Sequence, residues 1–256
     1  MDGFVRGLRG ALSFLTRIPI HGELPKDDEW DRSLALFPLV GLGIGGLMAA
    51  VYALSFRAGP LVASTLALSV GLLLTGAMHE DGLADTADAL GGGRDAEGIR
   101  AILKDPRLGS FGVSALVAVL LLRVALVASF GEAGWYLLLL SQSAGRFAPL
   151  VLMSRLPYAG SLEASKSAFL PRPSDSARLV GAAVPAFVLG LGVVFHLVAP
   201  AAAALGLGAY AVVTWTALAR FRTRLGGYTG DFLGAVEQLA ECALLVGVAV
   251  VGPPSA

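Results

Sequence analysis

Residues 179–219, LVGAAVPAFVLGLGVVFHLVAPAAAALGLGAYAVVTWTALA, contain no Asp, Glu, Lys or Arg. As one continuous helix at 1.5 Å per residue, this segment would be about 60 Å long, roughly twice the thickness of the hydrocarbon core of a bilayer. We therefore divide it near Pro200 into two membrane-spanning helices. This segment alone predicts an integral membrane protein.

The rest of the chain carries further apolar stretches of similar length, two of them interrupted by a single arginine. These predicted spans are 33–56, 58–78, 108–131 with Arg123, 133–154 with Arg146, and 232–252. Hydrophobic residues make up 55% of the sequence and charged residues only 15%, whereas soluble domains average about 25% charged residues. This composition excludes an ordinary soluble or disordered chain, and a single cysteine excludes a disulfide scaffold. The sequence predicts an all-α, polytopic membrane bundle of seven helices, forming a single domain over 1–256.

Residues 3–18 have a different pattern. Apolar residues recur at helical spacing from Phe4 to Leu15, and Arg6 and Arg9 lie off that face. This pattern is typical of an amphipathic helix that lies in the membrane interface. The alternative is a partly buried beginning of the first span.

Basic residues are concentrated on one side of the predicted bundle. With seven spans, the N-terminal region and the loops 79–107, 155–178 and 220–231 share one side, and the opposite side holds only Arg57. The positive-inside rule places the basic side in the cytoplasm. Because the loops on the opposite side are short, we expect the chemistry at the cytoplasmic face.

An acidic motif, MHEDGLADTADALGGGRD, follows the second span. Asp81, Asp85 and Asp88 stand at i, i+4 and i+7 and fall on one stripe of a helix. Carboxylates on one stripe repel one another unless a hard cation neutralises them, and Mg²⁺ binds one or two carboxylates together with substrate phosphates. We expect the stripe to bind a metal, and Glu80 and His79, which point off it, to orient ligands or bind substrate. The alternative is a solvated acidic loop.

A basic segment, RAILKDPRLGSFG, follows over 100–112. Lys104 and Arg107 supply cations, and Gly109 supplies flexible backbone. Lys and Arg bind phosphate as a point charge and as a fork of donors, respectively. Next to the acidic stripe, this pattern indicates a diphosphate substrate, with Lys104 as a catalytic cation. The alternative is a loop that contacts anionic lipid.

A second polar cluster, GGYTGDFLGAVEQLAE, begins the last span at 226–241. Carboxylates inside a membrane helix are costly unless they are paired or bound to metal. Asp231 is a candidate for a second metal site and Glu237 for a general base, and Gly230 allows close approach of a ligand. These acids are also candidate partners for Arg146, which we expect inside the bundle near a substrate phosphate.

Arg123 is the other arginine within a span. The sequence favours the interpretation that its side chain extends toward Glu132 and the far membrane surface.

Five segments together resemble one enzyme family. They are FLTRIP at 14–19, FPLVGLGIG at 37–45, HEDGLADTADALGG at 79–92, ILKDPRLGSFG at 102–112 and GGYTGDFLGAVEQLAE at 226–241. In this order they closely resemble the cobalamin synthase family, the adenosylcobinamide-GDP ribazoletransferases. The resemblance covers most of the chain but rests on hydropathy alone over about 155–215.

The resemblance implies a multi-pass enzyme of the bacterial inner membrane that requires Mg²⁺. Such an enzyme joins adenosylcobinamide-GDP to α-ribazole, or to α-ribazole 5′-phosphate, and releases GMP. Transferred to this sequence, the diphosphate is bound through Mg²⁺ at Asp81, Asp85 and Asp88, with Asp85 or Glu237 as the base.

Two other functions remain open at the level of sequence. A CDP-alcohol phosphotransferase also carries an Asp stripe, although the Ala-Arg and the eight-residue spacing of its longer motif are missing here. A cation transporter would distribute polar residues across the whole bilayer, whereas here they crowd at the predicted cytoplasmic ends. No phosphate-binding P-loop, nucleophile elbow or zinc spacing is found, nucleic-acid binding is not expected, and a homo-oligomer is compatible with the sequence.

Overall fold

The computed structural model describes residues 2–26, 29–160 and 169–252, and this part of the chain is predominantly helical. Its α-helices are α1 Asp2–Leu15, α2 Trp30–Ala35, α3 Phe37–Ser55, α4 Pro60–Thr75, α5 Met78–Gly92, α6 Ala96–Leu103, α7 Ser110–Ser129, α8 Gly134–Gly145, α9 Ala148–Arg155, α10 Asp175–Val194, α11 Pro200–Leu225 and α12 Gly230–Val251. The predicted all-α class is confirmed. The long apolar segment of 179–219 divides at Ala199 and Pro200, as expected, because proline is well placed at the first turn of a helix.

The described residues contain six segments long and apolar enough to cross a membrane. They are α3 with its extension to Ala58, α7, the segment Gly131–Arg155 that contains α8 and α9, α10, α11 and α12. The pair α4 and α5 passes the same test only when taken together. The prediction of a multi-pass bundle with about seven spans is therefore confirmed.

The chain bends by 89° between α4 and α5. Gly76 and Ala77 both have positive φ, at 67° and 56°, so they leave the right-handed helical conformation and end α4. The acidic motif is therefore not a straight continuation of the second predicted span, 58–78. It forms a separate helix with its own direction.

Two spans form the interior of the bundle. In Gly131–Arg155 and in α12, 83% and 72% of the apolar window is buried, whereas the other spans are 22% to 39% buried. Helices α11 and α12 pack closely at Gly206 and Gly247, where an added Cβ at Gly247 would lie 2.6 Å from the Gly206 Cα. The inner spans are the ones that carry Arg146 and the acids of the last motif.

Helix α1 is amphipathic and packs its apolar face onto the bundle. Ala11 and Leu15 are buried, and Phe4 is exposed. Beyond the helix end, the Arg17 backbone N–H donates to the Leu74 carbonyl, with N and O 2.7 Å apart. This bond fixes the end of α1 beside the bend between α4 and α5.

Candidate active site

Five helices and the α8–α9 junction surround a cavity of about 320 Å³. Its wall contains six of the residues that the sequence analysis assigned to the site: His79, Asp81, Arg146, Gly230, Asp231 and Glu237. The remaining lining residues are Phe14, Leu15, Phe37, Met78, Pro149, Met153, Leu233 and Gly234. We call this cavity the central pocket. It joins the two acidic motifs, which are about 150 residues apart in the sequence.

Two glycines bring α5 and α12 into backbone contact. A Cβ added to Gly82 would lie 2.8 Å from the Asp231 carbonyl oxygen, and one added to Gly234 would lie 3.1 Å from the His79 Cα. The pairing of 82 with 231 and of 79 with 234 shows that the two helices run antiparallel here. Small residues at such crossings let membrane helices approach closely, and this approach places Asp81 beside Asp231.

The acidic stripe of α5 runs from the central pocket to the beginning of α7. Asp81 is exposed and lines the pocket, and Asp85 is half-buried. The negative charges of Asp81, Asp231 and Asp88 all act on the Asp85 carboxyl group. The sequence spacing therefore produced the stripe that was predicted, and Asp231 adds a charge from a second helix.

Asp88 binds backbone rather than facing the pocket. Its carboxylate accepts hydrogen bonds from the Gly109 N–H at 2.7 Å and from the Gly112 N–H at 2.9 Å. These groups lie at the beginning of α7, where backbone N–H groups lack partners within the helix. In the structure Asp88 and Gly109 thus bind each other, and their roles in binding a metal and a substrate stay predictions.

Arg123 lies inside the bundle, and the expectation that it extends toward Glu132 is wrong. Its guanidinium donates to the Gln238 Oε1 at 2.7 Å and to the Glu241 Oε1 at 2.8 Å, and it lies 3.2 Å from the Glu80 Oε1. All four side chains are buried. An arginine in an apolar span is stable here because carboxylates from two other helices compensate its charge.

Glu80 belongs to this buried group and not to the pocket wall. Besides the ion pair with Arg123, its Oε1 accepts a hydrogen bond from the Gln238 Nε2 at 2.9 Å. Its neighbour Asp81 points the other way because consecutive residues of a helix are separated by about 100°. In the structure Glu80 ties α5 to α7 and α12, and its contact with substrate stays a prediction.

Arg146 sits at the junction of α8 and α9 and links the buried group to the pocket. Its Nη1 lies 2.6 Å from the Glu237 Oε1 and 3.8 Å from the Glu241 Oε2. Glu241 also accepts hydrogen bonds from Ser141 and Gln142. Arg146 therefore faces the bundle interior, as predicted, and its partner is an acid of the last motif.

Lys104 and Arg107 lie outside the central pocket, on the segment between α6 and α7, and both are exposed. Arg107 pairs with Asp105, with 2.5 Å between the Nη2 and Oδ2 atoms. Hydrogen bonds from Arg107 lower the pKa of the Asp105 carboxyl group from its ordinary 3.8 to about 2. Asp105 therefore serves as the counter-ion of Arg107.

Comparison with known proteins shows the family of the chain. The family model described as cobalamin-5-phosphate synthase matches residues 7–249. The chain belongs to the cobalamin-5-phosphate synthase family. Membership makes it a transferase of cobalamin biosynthesis.

Named relatives of this family match almost the full chain. A Leptothrix cholodnii protein is 38% identical over 249 residues, covering 93% of this chain and 92% of its own. A Pseudomonas aeruginosa protein is 38% identical over 259 residues (96% and 98%), and one from Pseudomonas fluorescens is 40% identical over 247 residues (94% and 97%). All three carry the name adenosylcobinamide-GDP ribazoletransferase. No solved structure matches the chain significantly.

The donor atoms of the central pocket suit a hard cation. Asp81 and Asp231 bring carboxylate oxygens to one pocket, and Asp85 adds another beside them. Among the described residues, no three or more His, Cys, Asp or Glu side chains are gathered around one point as metal ligands. The two carboxylates of Asp81 and Asp231 are a donor set that Mg²⁺ accepts, because this ion takes one or two protein carboxylates together with water and substrate phosphates.

Sequence reasoning did not assign the apolar part of the pocket to the site. Phe14 and Phe37 begin two of the segments that resemble the family, FLTRIP and FPLVGLGIG, and that position was the available signal. Met153 carried no such signal, because it lies outside the five segments that resemble the family. A methionine in an apolar helix does not reveal from the sequence whether it faces core or ligand.

Proposed function

We propose that this chain is an adenosylcobinamide-GDP ribazoletransferase of the bacterial inner membrane. It transfers the adenosylcobinamide phosphate group to α-ribazole or α-ribazole 5′-phosphate and releases GMP. The names of its relatives support this activity. The observation that carries the proposal is that carboxylates of α5 and α12 meet the buried Arg146 in one pocket.

The reaction exchanges one phosphorus–oxygen bond for another. The 3′-hydroxyl oxygen of ribazole bonds to the phosphorus on the cobinamide side of the diphosphate. The bond from that phosphorus to the bridging oxygen breaks, and GMP leaves with the electron pair. The hydroxyl proton passes to a carboxylate, Asp85 or Glu237, and then to water. In this type of transfer, the protein mainly positions the reactants and stabilises charge.

The carboxylates would hold Mg²⁺ at the diphosphate. Asp81 and Asp231 are its proposed ligands in the pocket, Asp85 joins them if its side chain turns toward the ion, and Asp88 joins them if it leaves its backbone partners. An ion held there would supply positive charge for the diphosphate and for the leaving group. The carboxylates also orient the ribazole hydroxyl, because they accept hydrogen bonds from it.

Positive groups would hold the phosphates. Arg146 lines the pocket, and the beginning of α12 at Gly230 presents backbone N–H groups to it. Lys104 and Arg107 are exposed on the neighbouring segment, where the nucleotide part of a large substrate can reach them. The positive-inside rule favours the cytoplasmic face for all of these groups.

The test is an assay of the purified protein with adenosylcobinamide-GDP and α-ribazole, with and without Mg²⁺, in which GMP release is measured. We expect GMP only with both substrates and Mg²⁺. Asp85→Asn should lower turnover by at least about 100-fold, the effect of removing one group that stabilises the transition state. Glu132→Gln, far from the pocket, is the matched control and should keep its activity.

A Mg²⁺ titration of the same variants separates a lost ligand from a lost base. A lost ligand raises the Mg²⁺ concentration needed for half-maximal rate, whereas a lost base lowers the rate at every concentration. Near-normal turnover by Asp85→Asn would reject the assignment of the acidic stripe.

A further inference from the structure

The central pocket differs in chemistry from one helix to the next. The ionisable groups of its wall come from α5, α12 and the α8–α9 junction. Helices α1, α3 and α9 contribute only apolar side chains: Phe14, Leu15, Phe37, Pro149 and Met153. A ligand of this pocket therefore has an apolar portion and a polar portion that is attracted to carboxylates.

The apolar portion of the wall includes an aromatic pair. The rings of Phe14 and Phe37 are stacked, with centroids 5.3 Å apart and an interplanar angle of 22°. Met78 and Met153 line the same pocket, and thioether sulfur makes favourable contacts with aromatic rings. A flat, apolar aromatic ring matches such a wall better than a flexible aliphatic chain, because aromatic pairs gain energy beyond the area they bury.

The polar portion of the wall still has unused hydrogen-bonding atoms. His79 Nδ1 and Arg146 Nε are buried and have no hydrogen-bond partner in the described part of the protein. Asp81 is exposed to the pocket. Hydroxyl groups of a ligand can supply the missing partners, since a hydroxyl both donates and accepts.

The size of the pocket limits what can enter it. Its volume of about 320 Å³ is at the lower end of the range of roughly 300–1,000 Å³ for small-molecule sites. A nucleoside fits such a volume. A corrin macrocycle with its side chains and a nucleotide is several times larger and does not fit.

We infer that the central pocket is the subsite for α-ribazole, a nucleoside whose base is a benzimidazole. The base lies against Phe14, Phe37 and Met153, and the ribose hydroxyls point toward Asp81 and Asp231. This inference rests on the proposed function. The adenosylcobinamide-GDP molecule stays outside and reaches the pocket only with its diphosphate. Guanine is disfavoured in the pocket, because its polar edges would lie unpaired against apolar side chains.

Phe14 and Phe37 then determine the specificity of the enzyme for α-ribazole and not for adenosylcobinamide-GDP. The test measures KM for each substrate with the full-length enzyme in detergent, for the wild type, Phe14→Ala and Phe37→Leu. Phe14 is only partly buried, so its substitution is the milder one for folding. Phe4→Ala is the matched control, because Phe4 lies on the same helix, is exposed and does not line the pocket.

We expect Phe14→Ala and Phe37→Leu to raise KM for α-ribazole about tenfold, which corresponds to about 1.4 kcal/mol, and to leave KM for adenosylcobinamide-GDP within about twofold. Calorimetric titration of the enzyme with α-ribazole alone should show the same loss of affinity without any turnover. Phe4→Ala should match the wild type in both measurements.

The outcomes separate this inference from the proposed function. If both variants are active and only the KM for adenosylcobinamide-GDP is raised, the subsite assignment is wrong and the transfer activity stands. The same holds if neither KM changes. If the wild type binds α-ribazole but makes no GMP from the two substrates, the proposed function is wrong. The subsite assignment is also wrong if both variants bind α-ribazole with the affinity of the wild type.

Discussion

Two groups of carboxylates occupy the same two helices and are placed in opposite ways. Asp81 on α5 and Asp231 on α12 line the central pocket, where Asp81 is exposed and no arginine of the described chain forms an ion pair with either. Glu80 on α5 and Glu241 on α12 are buried and share Arg123. Each helix therefore carries an acid available to a ligand and an acid used by the fold; the two are neighbours on α5 and ten residues apart on α12.

The difference shows how ionisable residues can serve two purposes in one membrane protein. Buried acids are tolerated when an arginine and amide groups satisfy them, as Arg123, Arg146 and Gln238 do here. This buried group holds α5, α7 and α12 together. It thereby fixes the backbone that carries Asp81 and Asp231, whose carboxylates line the pocket and can bind a cation or substrate.

The largest effect should come from removing the shared cation of the buried group. Arg123→Ala leaves Glu80 and Glu241 inside the bundle without the positive charge that they share. We therefore expect a loss of about 3–5 kcal/mol in the free energy of unfolding. Thermal unfolding in detergent checks this. Arg107→Ala is the control, since the Arg107 side chain is 86% exposed, and its stability should equal that of the wild type. Equal stabilities for the two variants would contradict the distinction between the groups.

A smaller effect should follow from separating α5 and α12. In Gly82→Ala, the new Cβ meets the Asp231 carbonyl oxygen at 2.8 Å, so the helices must move apart and Asp81 shifts relative to Asp231. Displacements of about 1 Å at a reacting site can lower the rate as much as 100-fold. Gly208→Ala on α11 is the control, because nothing lies within 4 Å of its Cβ position. Unchanged kcat in Gly82→Ala would show that this approach is not needed.

The smallest effect should be found at the exposed pair of Asp105 and Arg107. Because the pKa of Asp105 is lowered from 3.8 to about 2, the pair is formed above the ordinary pKa and is lost only as the pH falls toward 2. Because the pair is exposed and solvent screens its two charges, thermal unfolding of Asp105→Asn should differ little from that of the wild type from pH 5 to pH 8, and the small difference should vanish as the pH falls toward 2. A clear loss of stability in that range would mean that this segment contributes more to the fold than its exposure indicates.

The sequence predicted the spans and the acidic stripe well, because both depend on local spacing. It could not predict the bend at Gly76 and Ala77, since a glycine after an apolar run is also common inside membrane helices. Nor could it predict the partners of Arg123, which lie 43, 115 and 118 residues away. Such contacts depend on how helices are arranged in the bundle, and the pattern along one helix does not contain that information.

The most direct test of this account compares two neighbouring residues, Glu80→Gln and Asp81→Asn, in the same detergent. Turnover, the Mg²⁺ concentration for half-maximal rate, and the temperature of unfolding are measured for both variants. We predict that Asp81→Asn raises the Mg²⁺ requirement and lowers turnover at unchanged unfolding temperature, whereas Glu80→Gln lowers the unfolding temperature and keeps the Mg²⁺ requirement of the wild type. The opposite pattern, or the same changes in both variants, would contradict the division between acids for the ligand and acids for the fold.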